Sequence, residues 1–507
     1  MTQKKQNNYE LLRVYRKAHE TSALILKDFI DEYAGMEEVF TNLGYGEALY
    51  FKDVISIKSF RTRFRKSLYE ECLSMDYLYF SPILIDTISR YYEGKEKTSS
   101  TLLGLALKNT LNFIWAGSYN NQGKDSRSYT SLKRIVSKSI LYITLEQIIK
   151  MWEQQDLVQV SISNTGVIDS EIFWKLSTHF SLQGRHEYKV LNDAKKYIWE
   201  NDQIDDVLEE IVMGIIKPKE AFKDSFLADI PPSQTSFWLK LWALRRILLI
   251  SIQRNNLFSQ DHEGLCLIPK SGMITHSRIP ATEIQEAIYN CFWRKDWHRE
   301  AIMKEHDILQ RLIVERPCIR IRDVDNLFAT SVFLLMDAIN YCLESYIHKN
   351  DALYEKHFTK PFETQVLELL SKYGFSSGEV SEKGVWKNNI EDILFENKEK
   401  MPGQIDILAL DSNKKQALLI DCKLIHFPKS ANVLRNLTAK FDDRDTDGFH
   451  KKLEKKRRWL KGCDLMRDIE IINVHITNIY IPIFDSKKVV IPYSQLKDFL
   501  EKNYELL

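Results

Sequence analysis

The stretch PGQIDILALDSNKKQALLIDCKL, residues 402–424, constrains the fold more than any other part of the chain. Two apolar runs of strand length flank the polar turn DSNKK, a pattern typical of a β-hairpin. Each run carries an acid, Asp406 in the first and Asp421 in the second. Because side chains alternate across a strand, Asp421 and Lys423 should share one face while Cys422 points to the other. A charged pair inside LLIDCKL is costly to bury without a partner, so the hairpin predicts a polar site.

The chain has 507 residues, enough for about two to four domains with adequate cores. An apolar fraction of 44% with 11% aromatics is typical of packed globular proteins. Before residue 350 the apolar spacing is mainly that of helices, and after it helices and strands alternate, which is typical of an α/β domain. We predict a helical N-terminal domain at 1–117, a polar loop at 118–131, a mainly helical region at 132–350 with an irregular insertion near 255–280, and an α/β domain at 351–507.

Local patterns predict individual elements. Ser81-Pro82 should begin a helix, since proline at the first helical position loses no needed hydrogen bond. The apolar stretch 325–347 predicts one buried helix. In the last region we predict helices at 361–373, 449–461 and 494–504, a hairpin at 404–424, and strands at 469–483 and 489–491.

Composition and motifs exclude several classes of protein. The net charge of +1 gives no sign of a nucleic-acid partner for the molecule as a whole, so any such sign must be local. Seven scattered cysteines without a CxxC pair argue for a reducing cytoplasm and against disulfides or structural zinc. The polar N-terminus lacks a secretory core, and the apolar stretches 237–252 and 327–343 carry polar residues unsuited to a membrane span. Walker, GxGxxG and GxSxG motifs are absent from the sequence.

Three short motifs follow one another in the last region: Phe362-Glu363 in an amphipathic helix, Gly403-Gln404-Ile405-Asp406, and Asp421-Cys422-Lys423. With them, residues 350–507 resemble the PD-(D/E)xK nuclease superfamily, whose fold is restriction-endonuclease-like. The resemblance implies a central mixed sheet with the acids on adjacent strands. The fold class is therefore expected to be multidomain α and α/β, with a large mainly α-helical N-terminal region before a restriction-endonuclease-like α/β domain.

The resemblance also implies a metal site. Asp406 and Asp421 would hold Mg²⁺ or Mn²⁺, hard cations that prefer oxygen ligands. The backbone carbonyl of Cys422 would add a ligand. Glu363 would bind the metal through a water or fix Lys423.

Two further residues would take part in catalysis on the same grounds. Lys423 would orient or deprotonate the attacking water, or stabilise the pentavalent phosphate. Gln404 is expected on the strand face of Asp406, within reach of the metal-bound water or the substrate.

The sequence departs from the family pattern in two ways, and a plainer interpretation stands beside it. Proline does not directly precede Asp406, since Pro402 lies four positions earlier, and the third acid, Asp421, is Asp rather than the commoner Glu. The plainer interpretation is an ordinary ion pair of Asp421 and Lys423 at a sheet edge, with Asp406 as an acid near the turn.

The predicted helix 449–461 contains KKLEKKRRWLK, with seven basic residues and one acid in eleven positions. On a helix they form two rows: Lys451, Lys455 and Arg458, and Lys452 and Lys456. Either row would suit contact with nucleic-acid phosphates, and the alternative is a solvated helix face. Trp459 is expected to pack rather than stack on a base. The basic segment 57–66 favours an amphipathic helix with an exposed basic face over contact with DNA.

Other acid or histidine groups are weaker candidates. The acid-dense run 442–447 lacks calcium-loop spacing and favours a solvated loop near the active site. His298, His306 and the triplet 261–263 have no convincing ligand companions.

These features together predict a cytoplasmic, Mg²⁺-dependent endonuclease that acts on DNA more readily than on RNA. The helical region would recognise substrate, regulate the nuclease or assemble it, by analogy with microbial and antiviral defence against foreign DNA. We also expect a homo-oligomer, since cutting both strands often uses two sites. The alternatives are a non-catalytic nucleic-acid-binding or assembly protein with a degenerate nuclease fold, and a nuclease that acts only with a separate ATPase or sensor protein.

Overall fold

The computed structural model describes residues 3–29, 36–45, 47–93, 102–118, 127–152, 160–163, 168–169, 198, 203–223, 225–258, 264–269, 277–292, 316–321, 327–347, 349–411, 413, 415–425, 431–442, 448–483, 485 and 487–504. The chain divides into two compact units, one made of most of residues 1–349 and the other of most of residues 350–507. The predicted loop at 118–131 lies inside the first unit, and the helices on its two sides pack against each other.

The first unit is mainly helical. Its described helices are α1 (Gln3–Asp28), α2 (Met36–Asn42), α3 (Val54–Cys72), α4 (Tyr77–Glu93), α5 (Leu102–Ser118), α6 (Tyr129–Trp152), α7 (Ile204–Val212), α8 (Pro218–Ala221), α9 (Thr235–Phe258), α10 (Ala281–Tyr289) and α11 (Val332–Ile347). Two small three-stranded sheets accompany them: β1 (Leu49–Phe51), β2 (Val160–Ile162) and β3 (Ile168–Asp169), and β4 (Cys266–Pro269), β5 (Ile319–Ile321) and β6 (Leu327–Thr330).

Helix α3 shows how sequence sets local structure in this unit. The Asp53 carboxylate accepts a hydrogen bond from the Ser56 backbone N–H at 2.7 Å and so caps the helix. Ile57, Phe60 and Phe64 are buried on one side at helical spacing. The segment 57–66 is therefore an amphipathic helix, as predicted.

Two predictions in the first unit are wrong. Pro82 lies inside α4 rather than at its first position, so the carbonyl group one turn before it lacks its usual helical donor. The apolar stretch 325–347 does not form one helix, because residues 327–330 form β6 before α11 begins. A short apolar run suits a buried strand and a buried helix equally, so periodicity could not separate them. Within the insertion near 255–280, which the sequence predicts to be irregular, the described residues include strand β4.

The second unit contains α12 (Asp351–Tyr354), a π-helical turn (Glu355–Thr359), α13 (Lys360–Lys372), β7 (Ser376–Val380), β8 (Val385–Asn388), β9 (Asp392–Leu394), β10 (Ile405–Asp411), β11 (Gln416–Lys423), α14 (Ala431–Phe441), α15 (Phe449–Lys461), β12 (Glu470–Thr477), β13 (Val489–Pro492) and α16 (Tyr493–Asn503). The seven strands form one sheet in the order β13-β12-β11-β10-β7-β8-β9. Strands β11, β12 and β13 are parallel and the other pairs are antiparallel. The chain is thus a multidomain α and α/β protein with a mixed sheet in its C-terminal unit, as predicted at that level.

Two apolar layers cover the sheet. One layer joins α13 and α16 to the face on which Leu418, Ile420 and Cys422 lie. The other joins Leu453 and Leu460 of α15 to the opposite face, on which alternate residues of β10 and β11 lie. Strand β11 is therefore buried on both sides, which explains its nearly continuous apolar sequence.

The pairing of β7 with β8 requires a glycine. A Cβ atom at Gly378 would lie 1.8 Å from the Lys387 carbonyl oxygen, so a side chain would force the two strands apart. We predict that Gly378→Ala lowers the free energy of unfolding of this unit by about 1–3 kcal/mol, the usual effect of overpacking.

Urea denaturation of the full chain, followed by fluorescence, would measure this loss. Ser377→Ala is the matched control, because the neighbouring position already carries a Cβ atom and the change should cost much less. An equal loss in both variants would contradict the proposed close approach at Gly378.

Candidate active site

The register of the hairpin brings the two acids together. Ile407 on β10 faces Ile420 on β11, and Asp406 and Asp421 each lie one residue beyond this pair. The two acids lie at the end of the hairpin remote from its turn, on the two strands nearest the middle of the sheet. The plainer interpretation is therefore wrong about the sheet edge and about an acid near the turn, whereas its ion pair of Asp421 with Lys423 is present at 2.7 Å.

Lys423 joins the two carboxylates. Its Nζ atom lies 2.7 Å from Asp421 Oδ1 and 4.0 Å from Asp406 Oδ2, so both acids face one small volume. The backbone N–H of Cys422 donates to Asp406 Oδ2 at 2.9 Å. The Cys422 side chain lies in the apolar layer on the other face, as the alternation of the strand predicted.

Burial and like charge act on the two acids differently. Burial raises the pKa of Asp406, and the nearby charge of Asp421 raises it further, against the opposing charges of Lys423 and Lys456. Burial would also raise the pKa of Asp421, but hydrogen bonds from His475 and Lys423 and their charges outweigh it and lower that pKa to about 2. The pKa values of the two acids therefore shift in opposite directions, because Asp421 has two side-chain hydrogen-bond donors, His475 and Lys423.

Lys423 is held by aromatic as well as acidic neighbours. Burial would lower the pKa of Lys423, but the charges of Asp421 and Asp406 raise it above its ordinary value. Its Nζ atom also lies 5.4 Å from the centre of the Phe449 ring, a cation–π distance. Phe449 is the first residue of α15, and Phe441 is the last residue of α14. Their rings contact each other, so two aromatic side chains from the helix ends lie beside the site.

Glu363 has a different partner from the one expected. Its Oε2 atom accepts a hydrogen bond from Lys360 Nζ at 2.9 Å, and the same Nζ atom lies 3.2 Å from Glu379 Oε2 on β7. The alternative that Glu363 fixes Lys423 is therefore not what the structure shows, because Lys360, one turn earlier on α13, takes that carboxylate. Burial raises the pKa of Glu363, Lys360 opposes the rise, and the charge of Asp406 adds to it. Glu363 is thus close enough to Asp406 for their charges to interact.

The predicted roles of Gln404 and of the Cys422 carbonyl have less support from the geometry. Strand β10 begins at Ile405, so the prediction that Gln404 belongs to the strand is off by one residue. The pairing of β10 with β7 also shifts register between Ile405 and Leu408, which disturbs the simple alternation used to place Gln404 on the face of Asp406. The role of the Cys422 carbonyl as a metal ligand stays a prediction, as does that of Gln404.

The basic helix α15 packs on the sheet face that carries the acids. Lys456 is half-buried and its charge lowers the pKa of Asp406, which puts it near the site. Lys451, Lys452, Lys455 and Arg458 are exposed. Glu454, between the two rows, lies 3.6 Å from Arg458 Nε and accepts from Asn473 on β12 at 2.9 Å.

Trp459 packs in the apolar layer, as predicted. Its side chain is buried, and its Nε1–H donates to the Glu399 backbone carbonyl at 2.7 Å. The indole ring and its N–H group therefore both have their contacts inside the protein.

Several other candidate metal ligands lie outside the described residues. Across the residues that the structure describes, His, Cys, Asp and Glu form no group of three or more that could hold a metal ion. Residues 261–263, His298, His306 and positions 443–447 of the acid-dense run lie outside the described residues. All seven cysteines are buried free thiols, in agreement with the prediction of no disulfides.

Comparison with known proteins identifies no relative. The chain matches no protein-family model, and neither curated proteins nor solved structures give a significant match. Among the described helices, none is long and apolar enough to cross a membrane. The case for a function therefore comes from the residues and their geometry.

Three residues at the site were not predicted: His475, Lys360 and Phe449. His475 is fully buried on β12, and its Nδ1 atom lies 3.0 Å from Asp421 Oδ2. A histidine within the apolar run IINVHIT was a visible signal, since an imidazole in a buried strand needs a polar partner. Lys360 was visible as a residue three positions before Glu363 on a helix. Phe449 had no signal that distinguishes it from core aromatics.

We predict that Lys360→Met destabilises the second unit more near neutral pH than at about pH 4. A carboxyl whose pKa is higher in the folded than in the unfolded state favours folding at low pH and opposes it above its folded-state pKa. Removing Lys360 raises the pKa of Glu363 further, so the loss in free energy of unfolding should reach on the order of 1 kcal/mol at neutral pH.

Urea denaturation in a chelating buffer over this pH range would measure the effect. Lys398→Met removes an exposed lysine of the same unit and is the control. A loss independent of pH would show that Lys360 does not compensate Glu363.

Proposed function

We propose that this protein is a metal-dependent nuclease of the PD-(D/E)xK type, which hydrolyses phosphodiester bonds in DNA. The observation that carries the proposal is the meeting of Asp406, Asp421 and Lys423 on one face of two adjacent central strands, with one Nζ atom 2.7 and 4.0 Å from the two carboxylates. A mixed sheet with a preceding helix that supplies a third acid, Glu363, agrees with the restriction-endonuclease-like fold that the sequence resembles.

The donor set fits a hard divalent cation such as Mg²⁺ or Mn²⁺. Asp406 and Asp421 offer carboxylate oxygens to a common volume, and burial and the charge of Asp421 raise the pKa of Asp406. The backbone carbonyl of Cys422 and a water held by Glu363 would complete the set. Bound metal would acidify an attacking water and offset charge on the phosphate.

The protein's own residues would do the rest of the chemistry. Lys423, with its ammonium near the acids and the Phe449 ring, would orient the attacking water or stabilise the phosphate in the transition state. Its raised pKa keeps it protonated, which does not suit a base that deprotonates the water. Gln404, just before β10, would contact the same water or the substrate. The Cys422 N–H holds Asp406 in place through the main chain, and Lys423 Nζ lies 4.0 Å from the same carboxylate oxygen.

Helix α15 supports nucleic acid as the substrate. Its exposed lysines lie on the helix that covers the acidic face of the sheet. The charge of Lys456 lowers the pKa of Asp406. Cationic side chains beside the reacting centre would bind the phosphates that flank the scissile one. The helical unit would recognise substrate, regulate the nuclease or mediate assembly, including assembly into a homo-oligomer or with a separate ATPase or sensor protein.

We predict that Lys423→Ala and Asp421→Asn each lower the rate of DNA cleavage by about 10²–10⁴-fold, because each removes charge from the reacting centre. The measurement is cleavage of plasmid and linear DNA by purified full-length protein in Mg²⁺ or Mn²⁺, with RNA tested in parallel. Lys497→Ala, which breaks an exposed ion pair with Glu501 in the same unit, is the control and should leave the rate unchanged.

The outcome separates the proposal from its alternative. Metal-dependent cleavage that is lost in the two site variants and kept in the control supports a nuclease. DNA binding without cleavage in either metal would instead favour a non-catalytic protein with a degenerate nuclease fold. Cleavage that survives Lys423→Ala would count against the assigned site.

We also predict that the row of α15 made of Lys452 and Lys456, here called the inner row, contacts DNA more than the outer row, made of Lys451, Lys455 and Arg458. Replacing Lys452 and Lys456 together by Ala should reduce the slope of log K against log salt by about 2, one unit per lost phosphate contact. Replacing Lys451 and Lys455 removes the same charge from the row that lacks the half-buried Lys456, and should change the slope less.

Fluorescence anisotropy with labelled duplex DNA in a chelating buffer would give both slopes. Equal slopes for the two double variants would contradict a substrate path along the inner row.

A further inference from the structure

His475 lies beside Asp421 and takes no part in the chemistry proposed above. The two residues are register partners on the parallel strands β11 and β12. His475 Nδ1 lies 3.0 Å from Asp421 Oδ2, and because a carboxylate accepts, Nδ1 carries the hydrogen in this contact. The imidazole is fully buried, so water does not compete for the bond.

The contact leaves the two oxygens of Asp421 with different partners. Oδ2 faces His475, whereas Oδ1 faces Lys423 at 2.7 Å. Rotation of the carboxylate would break both contacts, so the pair of donors fixes its plane. Fixing the plane directs Oδ1 towards the volume that Asp406 also faces.

The surroundings of His475 hold the imidazole itself in place. The edge of the Phe441 ring packs against it at 5.3 Å between ring centres, and the His450 ring lies at 5.8 Å. The Nε2 atom of His475 is buried without a hydrogen-bond partner among the described residues. Burying a polar atom without a hydrogen-bond partner is costly, so an apolar residue would suit the core alone better. The bond to a charged carboxylate offsets that cost.

We propose that His475 is a positioning residue that orients the Asp421 carboxylate for a divalent cation. The inference rests on the proposed function, since it assumes that Asp421 is a metal ligand. Partners that orient metal ligands contribute typically 10–100-fold to metal affinity. His475 therefore sets how tightly the site binds metal, without touching the metal or the substrate.

Metal binding by full-length variants tests this directly. His475→Leu and His475→Val remove the donor, and each should weaken Mn²⁺ binding, measured by calorimetry, by about 10–100-fold. His475→Asn keeps an N–H at the position of Nδ1, because both nitrogens are separated from Cα by the same two atoms, and should restore most of the affinity. Thermal melts of the apo proteins show which variants remain folded.

Asn473→Ala is the matched control. Asn473 lies two residues earlier on β12, is similarly buried, and donates to Glu454 on α15 rather than to an acid of the site. Its loss should lower stability and leave the Mn²⁺ dissociation constant unchanged. An equal loss of affinity in this variant would show that His475 acts through general stability.

The result also separates this inference from the proposed nuclease activity. Mn²⁺ binding that disappears in Asp421→Asn but is unchanged in both apolar His475 variants overturns the positioning role alone. Affinity as weak in His475→Asn as in His475→Leu overturns it too, because the donor would not be what matters. Metal binding that follows the predicted order in a protein that cuts no nucleic acid supports the positioning role and refutes the nuclease.

Discussion

Two carboxylates buried side by side are the constraint around which the second unit is arranged. Two unit charges about 4 Å apart interact by about 4 kcal/mol near a protein surface, so such a pair needs compensating groups. Lys423 supplies one positive charge, and the Cys422 N–H and the His475 Nδ1–H supply hydrogen bonds to one acid each. Burial and the neighbouring charge of Asp421 still raise the pKa of Asp406. Two acids that face one small volume favour cations there.

The arrangement also explains the position of α15. Leu453 and Leu460 attach the helix to the sheet face that carries the acids, and its lysines lie on the outer surface. One helix thus closes the apolar layer and raises the density of positive charge next to the acids. Glu454 on this helix likewise has contacts on both sides. It accepts a hydrogen bond from Asn473 on the sheet and forms an ion pair with the exposed Arg458.

Sequence reasoning found the hairpin, the basic helix and the three residues of the charged cluster because their signals are local. Alternation within LLIDCKL assigned Asp421 and Cys422 to opposite faces without any knowledge of the fold. Strands β7–β9 were not predicted, because their sequences are short and rich in polar residues and glycine, which weaken a strand pattern. His475 was missed for a different reason. Its partner is 54 residues away, and the parallel register that joins them depends on tertiary packing.

The hydrogen bond that fixes Asp406 comes from the peptide group of residue 422, and that has a consequence for how the sequence can vary. Every amino acid except proline supplies this donor, so the side chain at 422 is free to follow the packing of α13 and α16 on the opposite face. Mutational drift in that layer can therefore proceed without disturbing the acids. In this chain the middle residue of Asp-x-Lys packs in the core, and the two outer residues lie in the charged cluster.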